Sequence, residues 1–128
     1  MTEIEKLLAV LDMTEDEQWV YLAKAGLMSH PWNAQDLKLG IELWRWKAYF
    51  EREVKDKYQA LLAETAFRLR DEAVVEYEDY WGQATWTVYE YFTGAKDKLL
   101  TSSWFLCVAK PIHFIIAALI AKELAKDK

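Results

Sequence analysis

One cysteine, two histidines, four glycines and two prolines are all that this chain of 128 residues holds of those types. A lone Cys107 rules out an internal disulfide and any cysteine-built zinc site. His30 and His113 belong to no H-E-x-x-H or Glu-x-x-His pattern, which removes the metalloprotease and di-iron bundle arrangements. The glycines follow neither phosphate-loop spacing, G-x-x-x-x-G-K or G-x-G-x-x-G, and no G-x-S-x-G turn exposes a nucleophilic serine. The most apolar stretch, 104–121, is broken by Lys110 and Pro111 and also carries His113. A Lys at the centre of a membrane span costs roughly 2.5–3.5 kcal/mol, so a buried core helix is the better reading of that stretch. The start, Met1 to Glu5, has neither the basic residues nor the apolar run of a signal peptide. The expectation is a soluble cytoplasmic protein with no membrane partner and no cofactor.

Apolar residues are abundant: 53 % of the chain, with seven Trp and seven Tyr. That is enough to offset the conformational entropy of folding, and the length suits a single helical domain over 1–128. Acids outnumber Lys and Arg by 21 to 16, a net charge of −5. They concentrate in the first seventeen residues and in a block of Asp71, Glu72, Glu76, Glu78 and Asp79. Such a surface repels phosphate backbones, so direct nucleic-acid binding is not expected.

Helical spacing predicts an all-α fold, a compact bundle of six to seven helices. Thr2 caps a first helix to about Leu11, and Thr14 with Glu17 has the capping-box spacing for a second that ends near Gly26. Ser29 to Asn33 reads as a loop. Between Leu37 and Val54 two apolar stripes lie on nearly opposite sides of one helix, one through Leu43, Trp46 and Phe50, the other through Ile41 and Trp44. A strand competes there, since Trp44, Trp46, Ala48 and Phe50 alternate. The next helix buries Tyr58, Leu61, Leu62, Thr65, Leu69 and Ala73, and the chain changes direction between Glu76 and Asp79. A stripe of Trp81, Ala84, Thr85, Val88, Tyr91 and Phe92 follows up to Gly94, with minor strand content possible near 84–92 because Thr85 to Tyr89 has high β propensity. Ser102 or Ser103 caps a short helix, and Pro111 opens the last one, whose Ile112, Ile116, Leu119 and Ile120 face the core.

Several groups invite a functional reading. The opposed stripes give Trp44, Trp46 and Phe50 as a self-association surface, hence a homodimer. The same segment interleaves Arg45, Lys47 and Arg52 with aromatics, but core packing with snorkelling cations outweighs a nucleic-acid site. His113 shares a face with Ile116, Ala117 and Ile120 and reads as a core residue bonded to a backbone carbonyl; Cys107 reads as a small buried hydrophobe. Glu53-x-x-Asp56 and Glu76-x-x-Asp79 are pairs of acids one turn apart, able to hold Mg²⁺ if they sit on facing helices. This resembles the acidic pattern of all-helical nucleotide pyrophosphohydrolases of the MazG and dimeric dUTPase type, which implies a Mg²⁺ site at Glu53, Asp56, Glu76 and Asp79. Asp56 stands where that pattern has Glu, and no phosphate-binding set of Lys and Arg accompanies it.

Phe67 to Glu72 and Ala109 to Ala121 resemble small accessory proteins of tailed phages and prophages, over the C-terminal half of the chain. The resemblance implies a virus-encoded protein that acts on host machinery by binding, often as an inhibitor of host defence. Three readings follow. The first is a non-catalytic acidic binding protein that presents Asp71, Glu72, Glu76, Glu78 and Asp79 to a basic protein partner. The second is the Mg²⁺-dependent hydrolase. The third is a small-ligand or nucleotide binder, for which a pocket containing Arg68 or Arg70 would speak.

Overall fold

The computed structural model describes residues 2–27, 51–52, 55–96 and 98–126. Among them the chain is all-α. Six helices occur: α1 Glu3–Ala9, α2 Glu15–Lys24, α3 Lys55–Glu76, α4 Glu78–Thr93, α5 Thr101–Cys107 and α6 Pro111–Lys126. Short 3₁₀ turns occur at Val10–Asp12 and Lys98–Leu100, Glu51 and Arg52 are π-helical, and no strand is present among these residues.

The helix boundaries follow local chemistry. Thr2 Oγ1 accepts the Glu5 N–H at 3.1 Å and opens α1. Thr14 and Glu17 form their reciprocal box at the start of α2, with the Thr14 N–H reaching Glu17 Oε1 at 3.3 Å. Gly26 and Gly94 end α2 and α4 in the left-handed region, at φ 75° and 73°, where a Cβ is unfavourable. The break between α3 and α4 falls at Tyr77, inside the expected window, although neither Gly nor Pro marks it.

The stretch 84–92 is helical throughout, as its stripe predicts: Ala84, Thr85 and Val88 recur at helical spacing and are buried, and packing overrides β propensity there. The hydroxyls of Thr85 and Thr87 accommodate the helix by donating back to the Gly82 and Gln83 carbonyls at 2.9 and 2.8 Å. Neither Ser102 nor Ser103 caps α5. The 3₁₀ turn runs straight into that helix, so its N-cap is Leu100, without a side-chain bond, and both serines lie exposed within it.

Contacts divide the chain into two compact units, residues 1–12 with 63–128, and residues 13–62. In the first, α6 supplies the centre and packs most extensively on α4, with further contact to α1. Ile112, Ile115, Ile116, Ile120 and Ala121 are buried, whereas Leu119, expected inside, is only half-buried. Ile115 takes the place assigned to it, since α6 is covered over more than one stripe. The Tyr91 hydroxyl donates to the Asp12 carboxylate, which raises the phenol pKa. Tyr91 and Phe92 are exposed, and Tyr89 is the buried aromatic of α4.

The second unit has its own small core of Trp19, Leu22, Tyr58 and Leu62. Trp19 and Tyr58 stack with ring centroids 5.4 Å apart at 17°, and the Tyr58 hydroxyl donates to Gln18 Oε1 at 3.3 Å. Burial, then the nearby Glu15 carboxylate, pushes the Tyr58 phenol well above its ordinary pKa. Among the described residues no helix is long and apolar enough to cross a membrane.

Candidate binding face and cleft

The inner side of α3 buries Thr65, Ala66, Leu69 and Ala73. Helical geometry of about 100° per residue puts Phe67 and Val74 on one line on the opposite side, with Val75 beside them. All three are exposed, Phe67 at 58 % and Val75 at 79 %. The helix is therefore apolar on two sides, of which the fold covers one. Asp71 falls between Phe67 and Val75 on the helix and Glu72 beside Val75, while Glu76 ends α3 and Glu78 and Asp79 open α4; all five acids are exposed. Phe67 and Val74 stand seven residues apart, the spacing by which one helical line shows in a sequence.

Beside this face opens a partly enclosed cleft of about 590 Å³. Phe67 and Arg70 come from α3, Trp81 and Gly82 from α4, Phe105 from α5 and Phe114 from α6. Phe105 and Phe114 meet edge to face, centroids 5.2 Å apart at 82°. The Arg70 guanidinium carbon lies 4.9 Å from the Phe67 ring centroid and 6.0 Å from that of Phe114, a cation–π arrangement. Its Nε and Nη2 donate to Asp71 Oδ1 at 3.3 and 3.1 Å, an exposed pair that contributes little to stability.

Two further wall residues are informative. A Cβ added to Gly82 would meet no atom within 4 Å, so the glycine answers to no close packing and leaves the wall open. Thr101 is 7 % exposed, and its Oγ1 has no hydrogen-bond partner among the described residues.

His113 is in the core, as expected, but its bond runs the other way. Nδ1 accepts the Lys110 N–H at 2.9 Å, at the start of α6 where backbone donors lack intrahelical partners. Its ring sits 4.5 Å from Phe92 and 4.9 Å from Trp104, edge to face with both. Burial, aided by the Lys110 charge, pushes its pKa down to about 4. Cys107 is exposed rather than buried: it ends α5 two residues beyond Phe105, about 200° round the helix from that buried side chain.

Trp44, Trp46, Phe50 and Glu53 lie outside the described residues. Asp56 is in the first turn of α3 and Glu76 is its last residue, so these acids stand at opposite ends of one helix instead of on facing helices. Among the described residues no cluster of three or more His, Cys, Asp or Glu side chains is placed to hold a metal ion. No protein-family model, no curated protein and no solved structure matches the chain.

Proposed function

We propose that this is a non-catalytic binding protein that docks a basic protein partner on the outer face of α3. The observation that carries the reading is the exposure of Phe67, Val74 and Val75 within a stretch that holds Asp71, Glu72 and Glu76. Apolar side chains scattered over a surface need no explanation, but an aligned set on the uncovered side of a helix marks a contact surface. Covering each of them stabilises a complex by roughly 1.5–3 kcal/mol before the entropy of association is subtracted. The surrounding carboxylates select a partner of opposite charge and speed its approach.

The likeness of Phe67–Glu72 and Ala109–Ala121 to phage accessory proteins supports inhibition of host machinery as the setting. In the same proposal the protein is cytoplasmic, and Trp44, Trp46 and Phe50 join two copies as a homodimer. The test is capture from a host lysate followed by mass spectrometry, with wild type and a Glu76→Lys, Glu78→Lys, Asp79→Lys triple variant. A basic protein held by the wild type, released as salt rises and lost to the variant supports the reading. Undiminished capture by the variant at low salt overturns it.

A further inference from the structure

We infer that the cleft between α3, α4, α5 and α6 is a binding site for a small, singly charged aromatic carboxylate, adjoining the protein-docking face and sharing Phe67 with it. Its volume, about 590 Å³, is in the range of small-molecule sites. Four aromatic rings, those of Phe67, Trp81, Phe105 and Phe114, contribute to its walls. Rings that already cross edge to face offer a flat ligand both stacked and edge contacts.

Arg70 is the one charged side chain among the described residues of the wall. Its contact with Asp71 uses Nε and Nη2 on a single carboxylate oxygen. A guanidinium carries five N–H donors in a fork, so the rest of the fork can take a carboxylate. The charge surroundings limit the ligand to one negative charge. Asp71 already shares the Arg70 guanidinium, and Glu78 stands three residues before Trp81, one turn away on α4. A nucleoside di- or triphosphate brings several negative charges to one cation that is already paired with a carboxylate; a monoacid brings one.

Gly82 and Thr101 point the same way. A glycine inside a helix is less favourable than alanine, yet at Gly82 no neighbour comes close enough to require it. The missing side chain leaves room on the ligand's side of the wall. Thr101 brings a buried hydroxyl to the cleft wall with no partner among the described residues, a donor that χ1 rotation can aim at a bound acceptor.

The test is a titration of the intact protein with 2-naphthoate and, separately, naphthalene-2-carboxamide, followed through the backbone amide signals of Gly82, Ser102 and Phe105. Naphthoate is expected to shift these signals in a saturable way and to bind about ten-fold more tightly than the amide. Arg70→Gln is expected to remove that preference, and Gly82→Leu to block both ligands while the remaining spectrum is retained. Equal affinity for acid and amide, no saturable shift at these residues, or naphthoate binding unchanged in Gly82→Leu each overturns the inference. The lysate capture does not depend on any of these outcomes.

Discussion

His113 Nδ1 accepts the backbone N–H of Lys110 at 2.9 Å while its ring is held between Phe92 and Trp104. An acceptor at Nδ1 requires that nitrogen to be unprotonated, so the fold selects the neutral imidazole. The folded pKa of about 4 lies below the ordinary value of 6.5. The resulting stability is complete above pH 6.5 and is lost as pH falls from there through about 4. On the order of 3 kcal/mol should disappear over that window. Urea unfolding of wild type and His113→Gln at pH 7.5, 5.5 and 4 checks this. The variant should be weaker at pH 7.5 and the gap should close toward pH 4; a constant gap contradicts the assignment.

Ile116 has no exposed surface and lies in the middle of α6. Ile116→Asp should destabilise by more than about 4 kcal/mol, since it buries an unpaired carboxylate. The same change at Leu119, which is half-buried, should cost far less. Thermal melts of the two variants should separate widely, and similar melting points would show that α6 is covered differently.

Thr101→Val keeps the shape of the side chain and removes a hydroxyl that has no partner among the described residues. It should raise stability by about 1 kcal/mol, because a buried unpaired polar group is unfavourable. Gly82→Ala should raise it by roughly 0.5–1 kcal/mol through helix propensity alone, as its Cβ enters open space. Denaturant midpoints measure both, and a loss in either would mean that these residues serve the fold rather than the cleft.

Much of the fold was legible in the sequence, and the reasons are local. Thr14 with Glu17, Gly26, Gly94 and Pro111 act on their immediate neighbours, so their meaning survives without knowledge of the tertiary structure. Exposure was harder to read. Cys107 and Leu119 were placed on the wrong side of the buried boundary because periodicity shows which residues share a face, and not how far a neighbouring helix covers it. The cleft was invisible for a related reason: Arg70, Trp81, Phe105 and Phe114 come from four helices, and no spacing links them. The acidic block was legible as charge, while the apolar line through Phe67 and Val74 was hidden inside it.

Photocrosslinking at position 75 tests the central claim most directly. Val75 is 79 % exposed on the uncovered side of α3, whereas Glu5 is exposed on α1 and serves as the control. Benzoylphenylalanine in place of Val75 should give one dominant crosslink to a basic protein in host cells, weakened by the Glu76, Glu78 and Asp79 charge reversal. The same group in place of Glu5 should give none. A crosslink from Glu5 as strong as that from Val75, or a product from Val75 that the charge reversal leaves untouched, would contradict docking on this face.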